Sequence, residues 1–201
     1  MPTSLIVVDD FLEEPQGFRQ AALGLAYPDL QGNFPGRNSL QRLQLDGLAE
    51  AVSRLAGEAL KPLDPPLSHG KCRITLANDQ GLARVHTDPG VLSGILYLSR
   101  PEDCRGGTEF FRHRATNSDH APRNDRELRE MGFASYDAVR ERMAVDTLDE
   151  GAWEKTMDVP MRFNRLVLLR PWLWHTAGPG FGDSIENGRL IYVMFFQPAG
   201  R

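Results

Sequence analysis

The sequence predicts a mainly β fold with flanking helices, an α+β chain built around an antiparallel sandwich or barrel. Three observations predict it. At 201 residues the chain suits a single domain with one sizeable core. From Cys72 onward it breaks into short β-type runs separated by Gly, Pro, Asn and Asp. Those runs lack the intervening helices that a doubly wound parallel sheet requires.

In order, "SLIVVDDFL" reads as a short buried strand, and "EPQGFRQAALGLA" carries Phe18, Ala22 and Leu25 at helical spacing. "YPDLQGNFPGRNS" is a loop by its Gly, Pro and Asn content. "LQRLQLDGLAEAVSRLAGEAL" sets Leu45, Leu48, Ala49, Val52, Leu55, Ala56 and Ala59 on one stripe, which predicts a second helix packed on a sheet. Strands are expected at "CRITLA", "LARVHTD", "VLSGILYLS" and "GGTEFFRH", and again in "MRFNRLVLLRPWLWHTAG" and "RLIYVMFFQP". Between these two β blocks, residues 114–157 read as a helical insertion. Asn124 with Glu127, and Thr147 with Glu150, both resemble capping boxes. An insertion at this place is expected to form a rim or lid over the mouth of the sandwich, where substrate selectivity would reside.

Composition narrows the function. A hydrophobic fraction of 41% with 25% charged residues is that of an ordinary globular protein, and a net charge of -4 argues against a nucleic-acid partner. The start "MPTSLIVVDDFLEEP" lacks the basic and long apolar regions of a signal peptide, and no apolar run is long enough for a bilayer, so no membrane partner is expected and the cytoplasm is the expected compartment. Cys72 and Cys104 form no metal-type pair and are expected to be reduced thiols without a role. The oligomeric state is not legible.

The chemistry centres on His86-Thr87-Asp88. Residues two apart on a strand face the same way, so both side chains could project into the sandwich and bind one metal ion. The triplet alone decides little, but His175 closes the apolar run "RLVLLRPWLWH" and offers a distal ligand. Two imidazoles and one carboxylate make the facial triad of non-haem Fe(II) sites, with three adjacent positions open. Arg189 heads "RLIYVMFFQP", the strand after His175, and is expected to neighbour it and to hold a carboxylate in an apolar interior. His113, His120 and His69 sit in polar or Pro-rich surroundings and are expected to face solvent. Trp172 and Trp174 read as wall residues, and Arg112 and Arg114 as solvated strand-end charges. Residues 33–38, "NFPGRN", are a loop that could border the same mouth.

These residues resemble the Fe(II)/2-oxoglutarate-dependent dioxygenases, in particular the prolyl 4-hydroxylase-like branch. The likeness covers roughly residues 72–198 without the insertion. It rests on His86 and Asp88, the strand "GILYLS" with Tyr97, "GGTEFF" over 106–111, His175, Arg189, and the opening strand "VVDDFLEEP". It implies a double-stranded β-helix, with Fe(II) on His86, Asp88 and His175. Arg189 would pair with the distal carboxylate of the co-substrate 2-oxoglutarate, Tyr97 would give that co-substrate a second hydrogen bond, and Arg170 and Arg165 are weaker substitutes for Arg189. With O2, such an enzyme couples decarboxylation of 2-oxoglutarate to hydroxylation of a C–H bond in a small-molecule or peptide substrate. The aspartate favours hydroxylation or desaturation over halogenation, for which related enzymes carry a small residue. Departures are the insertion and the long stretch "GPGFGDSIENG" between His175 and Arg189. A zinc hydrolase is disfavoured because nothing like HExxH occurs; the alternative is a non-catalytic cupin-like binding module.

Overall fold

The computed structural model describes residues 3–29 and 32–200, so positions 30 and 31 of the expected loop lie outside the described residues. In chain order the elements are β1 (Leu5–Val8), α1 (Pro15–Leu23), β2 (Arg37–Arg42), α2 (Leu48–Ala56), β3 (Leu60–Pro62), β4 (Lys71–Thr75), β5 (Leu92–Tyr97), β6 (Gly107–His113), α3 (Asp125–Glu130), α4 (Tyr136–Asp146), a 3-10 turn (Glu150–Ala152), β7 (Trp153–Pro160), β8 (Leu166–Leu169), β9 (His175–Thr176) and β10 (Arg189–Pro198). Every strand pairing is antiparallel. A seven-stranded sheet runs β1-β8-β5-β10-β4-β2, with β3 also on β10, and β7-β6-β9 form a second sheet. The predicted mainly β, antiparallel architecture is what the chain adopts.

Alternation along β10 shows how the layers meet. Leu190, Tyr192, Met194 and Phe196 enter a core with Ala22 of α1 and Leu48 and Val52 of α2. Ile191 and Val193 point the other way, into a core shared with Phe110 and Val159 of the smaller sheet and with Met161 just beyond β7. Helices therefore cover one face of the large sheet while the small sheet covers the other, and each strand of β5 and β10 reads as an unbroken apolar run because both faces are buried. Arg189, two residues before Ile191, belongs to the face between the sheets.

Several expectations are corrected. The helical stripe holds only over Leu48–Ala56: Gly47 and Gly57 bracket the helix with φ of 71° and 70°, and Leu40 to Arg42 lie in β2. Of the expected stripe, Leu45 and Ala59 lie outside the helix and Leu55 is 38% exposed, while the head of the segment pairs with β4 as part of β2. β1 is only partly buried, with Val7 exposed. "LARVHTD" is not a strand, since only His86 in it makes a bridge.

The 114–157 segment contains α3 and α4, but its last residues, from Trp153, already belong to β7. Asn124 caps α3 as expected, accepting from Glu127 N at 3.0 Å, while the Glu127 carboxylate returns to Arg123 N, one residue before the cap. Thr147 starts no helix. It ends α4, and Asp149 caps the 3-10 turn instead. Leu128 and Val139 of the two helices pack with Phe111, Trp153 and Trp174 on the outer face of the small sheet, in place of the expected lid.

One crossing links the two sheets. Between β9 and β10 the chain passes from the small sheet to the large one so tightly that only glycine fits. A Cβ on Gly178 would lie 2.6 Å from Gly107 O, and one on Gly180 would lie 2.2 Å from Leu76 O. Gly107 itself has Val159 O only 1.9 Å from where its Cβ would be. Gly107→Ala should therefore cost roughly 1–3 kcal/mol or more by overpacking against backbone; denaturant unfolding at wild-type stability would contradict this contact.

Candidate metal centre

His86 and His175 exchange main-chain hydrogen bonds, His86 N to His175 O at 2.9 Å and His175 N to His86 O at 3.1 Å. Facing residues of an antiparallel pair project to the same side, and the two imidazoles lie with ring centroids 4.5 Å apart. His175 also faces Phe110 across β9 and β6, at 6.4 Å between ring centroids, and Phe34 covers His86 at 4.1 Å. Asp88 N bonds to Pro171 O at 3.0 Å, which turns the carboxylate back toward both rings.

Each imidazole is fixed by its outer nitrogen. His86 Nδ1 lies 2.8 Å from Arg84 O, and His175 Nδ1 lies 2.8 Å from Leu173 O. A carbonyl only accepts, so the proton sits on Nδ1 and both Nε2 atoms face inward, the orientation a metal-binding histidine needs. Asp88 Oδ1 is 3.6 Å from His86 Nε2 and Oδ2 is 3.2 Å from His175 Nε2. The three residues offer one ligand atom each, all within 4.8 Å of one another. Burial works to raise the Asp88 carboxyl, but charge and hydrogen bonds from His175 and then His86 hold it well below the usual carboxylate range. Burial likewise opposes a charge on His175, and the Asp88 carboxylate outweighs it, so His175 titrates above an ordinary histidine.

Arg189 is 1% exposed, and none of its three guanidinium nitrogens has a hydrogen-bond partner among the described residues. Its guanidinium carbon lies 5.8 Å from the centre of the Tyr97 ring. Burial lowers its pKa, opposed by Tyr97 and Cys104, yet a guanidinium stays protonated in a protein. The expected adjacency to His175 is corrected: β10 lies in the large sheet beside β4 and β5, and β9 in the small one beside β6. The two residues therefore belong to different sheets, and the long "GPGFGDSIENG" stretch carries the chain from one to the other. Tyr97 Oη shares a 2.6 Å hydrogen bond with Thr108 Oγ1, and Thr108 is two residues before Phe110 on the same face of β6. Sequence reading missed Thr108; period-two alternation within "GTEFF" would have turned it inward with Phe110.

The substitutes for Arg189 are engaged elsewhere. Arg170 bonds to Thr3 O, Val91 O and Glu58, and Arg165 to Asp9 and Pro160 O. His113 does not face solvent. It is fully buried, with Nε2 2.8 Å from Asp146 Oδ2, because the helices of the insertion cover its face of β6. His69 is half-buried against Phe195 O and Phe196, and His120 lies near Glu127. Trp174 is a core residue of the outer layer and Trp172 sits under Arg123 and Arg170, while Arg112 and Arg114 are exposed. Cys72 and Cys104 are free thiols.

The loop over residues 33–38 does border the site. Arg73, on the inner face of β4, bonds to Pro35 O at 2.9 and 2.6 Å, Phe34 O at 2.5 Å and Asn38 Oδ1 at 3.0 Å, so its charge is spent on holding Phe34 over His86. Ala83 N bonds to Asn33 O at 2.7 Å and ties the loop to the segment before His86. Arg73→Met should leave the sheets folded but speed amide hydrogen exchange over residues 33–38 and at Ala83; unchanged exchange there would refute the clamp.

With this geometry in place, comparison with known proteins is informative. The chain resembles solved structures of 2-oxoglutarate-dependent non-haem iron oxygenases. HygX from Streptomyces hygroscopicus, solved with nickel, 2-oxoglutarate and hygromycin B bound, aligns over 98% of this chain and 84% of its own at 15% identity and a TM-score of 0.57. SnoK, a non-haem α-ketoglutarate-dependent carbocyclase from nogalamycin biosynthesis, aligns over 98% and 81% at 15% identity and a TM-score of 0.54. At such identities the likeness establishes a shared fold. No curated protein matches the chain. Its sequence does match one family model over residues 2–196, and the chain therefore belongs to the family of unknown function DUF6445.

Proposed function

We propose that this chain is a single-domain Fe(II)/2-oxoglutarate-dependent oxygenase that hydroxylates an unactivated C–H bond of an amino acid, peptide or natural-product intermediate. On this reading the two sheets form a double-stranded β-helix. The observation that carries the proposal is the unpartnered guanidinium of Arg189. A buried charge without a counter-charge costs several kcal/mol, and a carboxylate presented in fork geometry is the ligand that offsets it best. The structural neighbour HygX holds 2-oxoglutarate and nickel within a fold of this kind, which supports the same class of co-substrate here.

The donor set suits Fe(II). His86, Asp88 and His175 would hold the ion through two imidazoles and one carboxylate, a donor set that non-haem Fe(II) takes while keeping room for a co-substrate and O2. Bound together, iron and 2-oxoglutarate would activate O2, which is the oxidant and draws two of its four electrons from decarboxylation of 2-oxoglutarate and two from the substrate C–H bond, and the protein supplies position, charge and a dry interior. His86, Asp88 and His175 hold the ion, with the Arg84 and Leu173 carbonyls fixing the imidazole tautomers. Arg189 fixes the distal carboxylate, while the hydroxyls of Tyr97 and Thr108, already bonded to each other, lie between that guanidinium and the small sheet. Phe110, Ile95, Ile191 and Val193 line the space between the sheets and exclude water.

Anaerobic addition of Fe(II) and 2-oxoglutarate to the metal-free protein should give the weak visible metal-to-ligand charge-transfer band. His175→Ala should lose the metal, and Arg189→Ala should bind 2-oxoglutarate on the order of 100-fold more weakly, as for a truncated buried charge pair. Metal binding with no band in the wild type would favour a binding module that does not turn over. Asp88→Gly should abolish iron-dependent consumption of 2-oxoglutarate, and undiminished consumption would remove Asp88 from the ligand set.

Because His175 keeps its proton above the ordinary histidine pKa of 6.5 in the metal-free protein, the ion must displace that proton. Affinity should therefore rise with pH through and beyond that value. Calorimetry in two buffers of different ionisation enthalpy should detect the released proton, and equal heats would count against it.

A further inference from the structure

Thr147, at the end of α4, reaches the two residues that precede His86. Its hydroxyl accepts from Arg84 N at 2.9 Å and donates to Val85 O at 2.9 Å, and its carbonyl accepts from Val85 N at 3.3 Å. One residue of the insertion thus grips this stretch at three points. The grip matters because residues 76–91 contain no strand, and the His86 bridge is the one ladder contact they make among the described residues. Apart from that bridge to β9, no strand ladder fixes the main chain that carries the ligand.

The connection to the imidazole is direct. Arg84 O, on the residue whose amide Thr147 holds, accepts from His86 Nδ1 and so sets the ring's rotation. The other end of the grip is itself anchored. Asp146 receives His113 Nε2 at 2.8 Å and the Arg142 side chain on its carboxylate, and Trp153 Nε1 at 2.8 Å on its carbonyl. Thr147 is buried, and its branched Cβ restricts χ1, which holds the hydroxyl in place.

We propose that Thr147 is a positioning residue for the metal ligand His86, so that the helical insertion acts as a buttress of the metal centre from behind the small sheet. The inference rests on the reading of His86, Asp88 and His175 as metal ligands. Partners that orient a ligating histidine typically govern metal affinity by about 10- to 100-fold.

The test is titration of the metal-free, full-length protein with Co(II), followed by calorimetry and by the visible absorption of bound cobalt, for wild type, Thr147→Val and Thr147→Ser. Thr147→Val keeps the shape and removes the hydroxyl. It should bind Co(II) about 10-fold or more weakly with an altered cobalt spectrum, and Thr147→Ser should recover most of the affinity and the wild-type spectrum. If Thr147→Val does not fold, Thr147→Cys, a far weaker hydrogen-bonding group, takes its place with the same expectation. Wild-type affinity and spectrum in the hydroxyl-free variant overturn the inference alone, as does a serine variant that recovers nothing. A wild-type protein that binds no Co(II) overturns the metal-centre reading and the inference with it.

Discussion

Two main-chain hydrogen bonds, exchanged between His86 and His175, join parts of the chain that are far apart in sequence, and the candidate site depends on them. Because the two residues face each other in an antiparallel pair, their rings stand side by side with no further adjustment. Asp88 then needs only the bond from its amide to Pro171 O to complete a three-residue cluster. On the far side of His175, Phe110 continues the row, and Phe34 ends it beyond His86. A single bridge is a thin support for such a cluster. It is reinforced from outside by Thr147 and from inside by the loop that Arg73 holds.

Buried and half-buried arginines in this protein divide by what their guanidinium groups meet. Arg73 and Arg170 end on main-chain carbonyls, where they tie loops and termini to the sheets. Arg19 does the same through Glu186 O. The fold thus engages all three guanidinium groups, although Arg19 keeps a buried Nε without a partner among the described residues. Arg189 is buried as deeply, yet its guanidinium meets the face of Tyr97 and no acceptor. Cation–π attraction is worth only about 2 kcal/mol even when desolvated, which leaves most of the cost of burying a charge uncompensated.

Much of this was legible in the sequence, for reasons that are local. The strands of the two β blocks follow from apolar runs between turn residues, and His86, Asp88, His175 and Arg189 stand in an order that resembles a known oxygenase superfamily. What was not legible depends on distant partners. The stretch from Leu40 to Arg42 heads the segment expected to be helical, ahead of its apolar stripe, and is captured by β4. Thr147 has the look of a helix cap, but its hydroxyl bonds to residue 84, 63 positions earlier. His113 reads as polar and exposed until Asp146 and the helices cover it. The sheet to which Arg189 belongs, and hence the direction from which it faces the histidines, is a matter of topology that no local pattern carries.

The glycine crossing between β9 and β10 has one more consequence. Side-chain exposure falls from 20% at His86 and 15% at Asp88 to 3% at His175, and Arg189 as a whole residue is 1% exposed. Gly178 and Gly180 press the chain against both sheets. Solvent access therefore falls from the His86 edge of the site toward Arg189. A group that pairs with Arg189 must accordingly give up its hydration on arrival, whereas one that touches only His86 can keep part of it, so the same chain offers a dry end and a wetter end to whatever it holds.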